Sequence, residues 1–236
     1  MIGPVAFSFF TLVHAGIAFG ALQLFEQSPV AAVCLFIVEA VTAFDNGVTV
    51  LGNRLGIGAQ AELLNRLRFF LHALCISLLL PVYATIANAV AFTDTAAILV
   101  YVLAGLLAAA IAVFGYVVQY GGLGPIMPVS YFGCLRYAQS VSDLTRHPDC
   151  EYSETELEAR GSLPLASVAT TLVGLILALL IGLFGSLWVP FIVTALMFLA
   201  GAMPPRTWGP LATSCLEVIY SSGMLYSLAV AVGALS

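Results

Sequence analysis

Seven apolar runs, each close to the length needed to cross a bilayer, leave this chain few ways to fold. They cover residues 5–25, 29–51, 69–91, 95–119, 163–184, 187–203 and 208–234. A hydrocarbon core about 30 Å thick takes roughly 20 apolar residues as helix. Lipid offers no partner to unpaired backbone groups, so runs of this length are read as helices that satisfy their own. Only 8% of the 236 residues are charged and 61% are hydrophobic, whereas a water-soluble domain carries about 25% charged residues. The expected fold is all-α, a polytopic transmembrane bundle of about seven helices occupying 1–236 as a single transmembrane domain. The run at 187–203 is the shortest and contains Pro190, so a tilted or re-entrant segment is the alternative there.

The seven basic residues are all Arg: Arg54, Arg66, Arg68, Arg136, Arg146, Arg160 and Arg206. Seven spans put the N-terminus, the 52–68 connection, the 120–162 loop and the 204–207 turn on one side, and every Arg falls on that side. The turns on the other side carry Glu26 and Asp94. The positive-inside rule then places the N-terminus and the Arg-bearing loops in the cytoplasm. The 120–162 loop opens with a Gly/Pro break, GGLGPIMP, and closes with the acidic DCEYSETELEARG. Ser153 and Glu156 have the spacing of a capping box, and the rest of the loop reads as a solvated tether. The first apolar run has no basic segment before it, so a cleavable signal peptide is not expected.

Several function classes are excluded by what is absent. The net charge is −5 and no basic surface exists to meet a phosphate backbone, so no nucleic-acid partner is expected. The five Cys form no C-x-x-C pair, which argues against zinc. The glycines near residue 121 are a loop break rather than a phosphate cradle between strand and helix, so no cofactor is expected.

An ionisable side chain at the bilayer centre costs about 3 kcal/mol or more, which makes each one a functional candidate. In the second run, VEAVTAFDNGVTVLGN, helical geometry puts Glu39, Asn46, Asn53, Thr42, Thr49 and Asp45 within roughly 120° of arc. That face must look into the bundle. Interhelical hydrogen bonding accounts for Thr and Asn, and two carboxylates exceed it. In the last run, Thr213, Glu217, Tyr220 and Ser221 form another stripe. Glu39, Glu217 and His14 fall at similar depth, so the two acids are expected as a mid-membrane pair. A carboxyl buried without a cation is held most cheaply as the neutral acid, which can donate a proton. Arg68 and His72 share a face of the third run, and either can pair with Asp45, beside Asn46, nearer the cytoplasm. Phe9, Phe10, Phe44, Phe69, Phe70, Tyr83, Tyr220 and Tyr226 are available to line a cavity and steady a cation with their ring faces.

The size, the span count and the acids on an early and a late helix, Glu39 and Glu217, resemble the small membrane-bound terpene cyclases. That resemblance implies acid-initiated chemistry on a lipophilic, isoprenoid substrate. Glu39, Glu217 and Asp45 would be catalytic, and Asn46, His72, Arg68, His14 and Tyr220 would bind or orient the substrate. The partners would be the bilayer and a lipophilic small molecule. The string from Glu39 to Asn46 is also similar to the Glu-x5-Asp-Asn signature of tellurium-resistance-type proteins linked to manganese export. This implies a metal or proton-coupled ion transporter, with Glu39, Asp45, Asn46 and Glu217 as ligands. Families of that kind carry a second acidic motif, and here the second half offers Glu217. A structural subunit of a membrane complex is the third reading, and it leaves the two acids unexplained.

Overall fold

The computed structural model describes residues 2–143, 145–158, 164–202 and 205–235, without the side chains of Asp94, Gln119, Ala202 and residues 205–210. Helix α1 is Ile2–Leu22, α2 Pro29–Leu55 and α3 Ala59–Cys75. One 3-10 turn, Ile76–Leu78, joins α3 to α4, Leu79–Val90. Helix α5, Asp94–Phe114, runs into a π-helical turn, Gly115–Tyr120. Strands β1, Met127–Tyr131, and β2, Cys134–Ala138, follow, then α6, Glu154–Glu158, α7, Leu165–Gly185, α8, Val189–Ala202, and α9, Pro205–Ala231.

Six stretches are long and apolar enough to cross a membrane: 2–22, 29–55, 59–90, 95–118, 165–185 and 211–231. The protein is a helical, multi-pass membrane bundle. The expected sixth span is α8, whose 14 residues fall short of that length. It reaches about 21 Å at 1.5 Å per residue. Pro190 lies in its first turn, where a missing N–H is tolerated, so it starts this helix rather than kinking it. The expected 52–68 connection shrinks to residues 56–58, because α2 and α3 continue beyond their apolar segments. Arg66 and Glu62, one turn apart on α3, pair at 2.9 Å there.

Burial follows helical spacing. On α1 the buried residues are Gly3, Phe7, Phe10, His14, Ile17, Ala18 and Ala21. These recur every three or four residues and turn one stripe towards α2 and α9. The polar face of α2 also turns inward, with Glu39, Asn46 and Thr49 buried. In the half of the bundle away from the Arg residues, Tyr83 of α4 is sealed, and its hydroxyl meets Thr194 Oγ1 of α8 and, at 3.0 Å, Tyr220 Oη of α9.

The loop expected as a tether instead holds an antiparallel hairpin, with Tyr131 opposite Cys134 and Met127 opposite Ala138. Phe132 and Gly133, at φ 51° and 86°, form its two-residue turn. Positive φ at both central positions is the geometry whose twist matches the flanking strands. The hairpin caps the bundle at the end where Arg54, Arg66, Arg68 and Arg146 lie. Arg160 lies outside the described residues, as does the side chain of Arg206. Three side chains from the helices clamp the hairpin backbone. Asn53 donates to the Gly133 carbonyl and accepts from Leu135 N–H at 2.6 Å. Asn65 accepts from Tyr137 N–H at 3.2 Å, and Arg68 Nη2 donates to the Tyr137 carbonyl at 3.1 Å. An apolar cluster of Ala61, Ile126 and Tyr137 seals the contact.

The capping box closes α6. Ser153 N–H donates to Glu156 Oε2 at 2.8 Å, and Glu156 N–H returns to Ser153 Oγ at 3.4 Å. The Ser153 N–H and hydroxyl together hold the Glu156 carboxyl below its ordinary value. A depressed carboxyl stabilises the fold above its unfolded value, and the gain is lost as pH falls through the folded value. Acidification into the carboxylate range is therefore expected to release this cap first. Faster amide exchange at Ser153 and Glu156, with the transmembrane amides unchanged, is the measurement that checks it.

Candidate functional site

The inward face of α2 is polar, and half of it is satisfied along its own helix. Thr42 Oγ1 donates to the Val38 carbonyl at 2.9 Å, Asn46 Nδ2 to the Thr42 carbonyl at 3.0 Å, and Thr49 Oγ1 to the Asp45 carbonyl at 3.2 Å. Back-bonding of this kind is how short polar side chains are tolerated within a helix. Three groups of this face reach other elements: Asn53 holds the hairpin, and the two acids reach out in different directions.

Glu39 reaches α1. Its Oε2 lies 2.7 Å from His14 Nδ1, and the two side chains are 1% and 0% exposed. Asp45, a turn and a half further along, faces the hairpin end. Arg68 Nη1 donates to Asp45 Oδ1 at 3.0 Å, and Arg136 Nη2 of β2 stands 3.5 Å from the same oxygen. The guanidinium of Arg68 also lies 4.6 Å over the Phe69 ring. With its remaining bond to Tyr137, Arg68 is held on three sides, which offsets the burial of a charge.

A cavity of about 220 Å³ opens beside this cluster. Asp45, Arg68, Phe69, His72, Tyr120, Leu123, Arg136, Gln139, Pro164 and Glu217 line it. Its walls come from α2, α3, α9, the hairpin and the connection into α7. Glu217 is about 9 Å along α9 from Leu211, at 1.5 Å per residue. It shares that cavity with Asp45, Arg68, His72 and Arg136. Among the described residues it has no ion-pair partner.

This arrangement revises the grouping expected of the acids. Glu217 lines this cavity and Glu39 does not. Glu39 is closed against His14, because α1 packs along α2 and brings His14 to Glu39 at the same depth. Glu217 belongs with Asp45, Arg68 and His72. Of the two cations offered to Asp45, Arg68 takes it, and His72 Nε2 meets Ser167 Oγ of α7 at 3.1 Å. Tyr220 turns away from the cavity towards Tyr83. The aromatic lining is thinner than expected. Among the eight rings expected there, Phe69 alone lines the cavity, while Phe9 and Tyr226 are 58% and 50% exposed on the outside of the bundle.

Glu39, Asp45, Asn46 and Glu217 do not converge as a ligand set either. Glu39 is turned to His14, Asp45 to two Arg, and Asn46 to its own helix. Among the described residues no three His, Cys, Asp or Glu side chains are grouped to hold a metal ion. The residue that sequence reasoning missed is Arg136. It sits in CLRYA, a run rich in neither charge nor turn signals, and it reaches Asp45 through the hairpin. The Phe-Gly turn between two five-residue runs with aromatic and β-branched residues was the available signal. No family model, curated protein or solved structure matches this chain.

Proposed function

We propose that the protein is an intramembrane enzyme that applies acid–base chemistry to a lipophilic, isoprenoid-like substrate carrying a polar oxygen. The observation that supports this most is the company Glu217 keeps: a carboxyl on a membrane helix faces a cavity beside a salt-bridged Asp45, two Arg and His72. Glu217 is the proton donor in this reading, and His72, held by Ser167, accepts a proton later in the cycle. Arg136 binds the substrate oxygen, with Arg68 and Asp45 fixing where that guanidinium lies. Phe69, Tyr120 and Leu123 hold the apolar part. In the proposed orientation the N-terminus and the hairpin are cytoplasmic, so the polar head enters from that side. This departs from the terpene-cyclase resemblance in one respect: the acid is Glu217 with the Asp45 cluster, and Glu39 is a buried neighbour.

A second reading, proton-coupled ion transport, draws on the other buried ionisable pair, Glu39 and His14. The two are separated by comparing lipid extracts and metal content of cells with and without the gene. A lipid species that depends on the gene, with metal content unchanged, is the expected result. Asp45→Asn sharpens the comparison. Leaving the buried Arg68 guanidinium without its carboxylate costs about 3–5 kcal/mol, so the variant is expected at lower yield with reduced product. A change in metal content alone would favour transport.

A further inference from the structure

The cavity that holds Glu217 is small and unevenly charged, and both features bear on what it binds. Its volume, about 220 Å³, falls below the roughly 300–1,000 Å³ that encloses a whole drug-sized ligand. A hydrocarbon chain already dissolved in the bilayer gains little by leaving it for a polar wall. The cavity is therefore sized for the head of a lipid whose chain stays outside.

The charges indicate the kind of head. Two guanidiniums, Arg68 and Arg136, converge on one oxygen of Asp45. Arg68 is buried and engaged, donating to Asp45 at 3.0 Å and to the Tyr137 carbonyl at 3.1 Å. Arg136 is less committed. It stands 3.5 Å from an oxygen that Arg68 has already taken, and among the described residues it makes no hydrogen bond. Its other neighbour is the Tyr131 ring, 5.8 Å away. A guanidinium presents five N–H donors in a fork that matches the oxygens of phosphate or carboxylate. With Glu217 carrying its proton, as the proposed reaction requires, Arg68, Arg136 and Asp45 leave one positive charge in excess. Glu217 then donates to an anionic oxygen instead of repelling it. A neutral alcohol or ether oxygen would leave that excess unbalanced.

The chain has a way out of the cavity into the bilayer. Tyr120 lines the cavity and ends the π-helical turn. Its ring stacks on Tyr116 with centroids 6.1 Å apart, and Phe70 meets the two rings edge-to-face at 5.1 and 6.0 Å. Tyr116 is 51% exposed and belongs to the membrane-crossing stretch 95–118, so its open side faces lipid. A Cβ at Gly115 would overlap the Ala73 carbonyl oxygen. Glycine there lets the turn rest on the α3 backbone, which sets the rings of both elements side by side. Single π turns of this kind are frequent at functional sites.

We infer that the cavity is a headgroup site for a single-chain lipid anion, its phosphate or carboxylate held by Arg136 and its chain lying in the bilayer along Tyr120, Phe70 and Tyr116. This rests on the proposed reading of Glu217 as proton donor, and it narrows the substrate oxygen of that reading to an oxyanion.

The test uses the full chain in phosphatidylcholine nanodiscs and a farnesyl phosphate that carries a photoreactive diazirine on its chain. Illumination should label peptides containing Phe70, Tyr116 or Tyr120, located by mass spectrometry. Unlabelled farnesyl phosphate and farnesoate should compete for that labelling. Farnesol, with the same chain and a neutral head, should need roughly ten- to a hundredfold more, the scale of one hydrogen bond to a charged group. Inorganic phosphate, with no chain, should compete far less than farnesyl phosphate. Arg136→Gln should weaken labelling by the same factor as the loss of the anionic head, with protease resistance of the hairpin reporting that the variant is folded. Farnesol competing as well as farnesyl phosphate overturns the anionic head, and this needs no variant. Labelling spread evenly over the lipid-facing helices, or inorganic phosphate competing equally, overturns the path of the chain. If farnesyl phosphate binds as described while no lipid product depends on the gene, the headgroup site stands and the enzyme reading fails. A gene-dependent product with farnesol as the preferred competitor leaves the enzyme reading standing and overturns this one.

Discussion

Glu217→Gln is expected to eliminate the lipid product that depends on this gene, with the protein still present at normal level in the membrane. Gln keeps the shape of the side chain and removes the transferable proton. A positioned general acid contributes about 10²–10⁴-fold to rate, so the residual product should be near the background of cells without the gene. The fold should tolerate the change, since among the described residues Glu217 has no ion pair to lose. Two measurements check it: product in the lipid extract, and protein level by immunoblot of the membranes. Unchanged product at unchanged protein level would remove Glu217 from the reaction and the cavity from the proposal. Glu39→Gln separates the roles of the two acids. Glu39 does not line the cavity, so its loss should leave product formation near the wild-type level when compared at equal protein amount.

The second large effect concerns the hairpin that carries Arg136. A Cβ at Gly52 would overlap the Leu135 carbonyl oxygen, and one at Gly3 would lie 2.5 Å from the Phe132 carbonyl oxygen. The backbone of β2 and its turn rests directly on α1 and α2, and glycine alone permits that approach. Gly52→Val forces the strand outward and breaks its alignment with Asn53. Overpacking of this kind costs about 1–3 kcal/mol, and displacing the hairpin also withdraws Arg136 from Asp45. The expected outcome is a lower melting temperature in detergent, proteolytic cleavage within 127–138 at protease levels the wild type resists, and loss of product. A variant that melts and resists protease as the wild type does would show that the hairpin is not seated on α2.

Much of the bundle was legible from residue order. The apolar runs predicted where helices lie, since a backbone in lipid must close its own hydrogen bonds. The polar stripe of α2 predicted which of its faces turns inward, and Glu39, Asn46 and Thr49 are buried there. The capping box of Ser153 and Glu156 was readable because it is closed within four residues. The span count was less legible. Val189–Ala202 is as apolar as its neighbours; the run that holds it was already the shortest, and how far the helix falls short of a span shows only once the turns on either side of it are fixed.

Sequence alone thus determined the solvent of this protein, the positions of its membrane helices and which side chains must be hidden from lipid. Those depend on composition and on a period of 3.6 residues, which any short window displays. Tertiary structure decided the partner of each acid. Glu39 meets His14, 25 residues away, Asp45 meets Arg68 and Arg136, and Glu217 meets a cavity closed by a hairpin. Each pairing depends on which helices are neighbours and how each is rotated, and a buried charge takes whichever partner that packing delivers within about 4 Å.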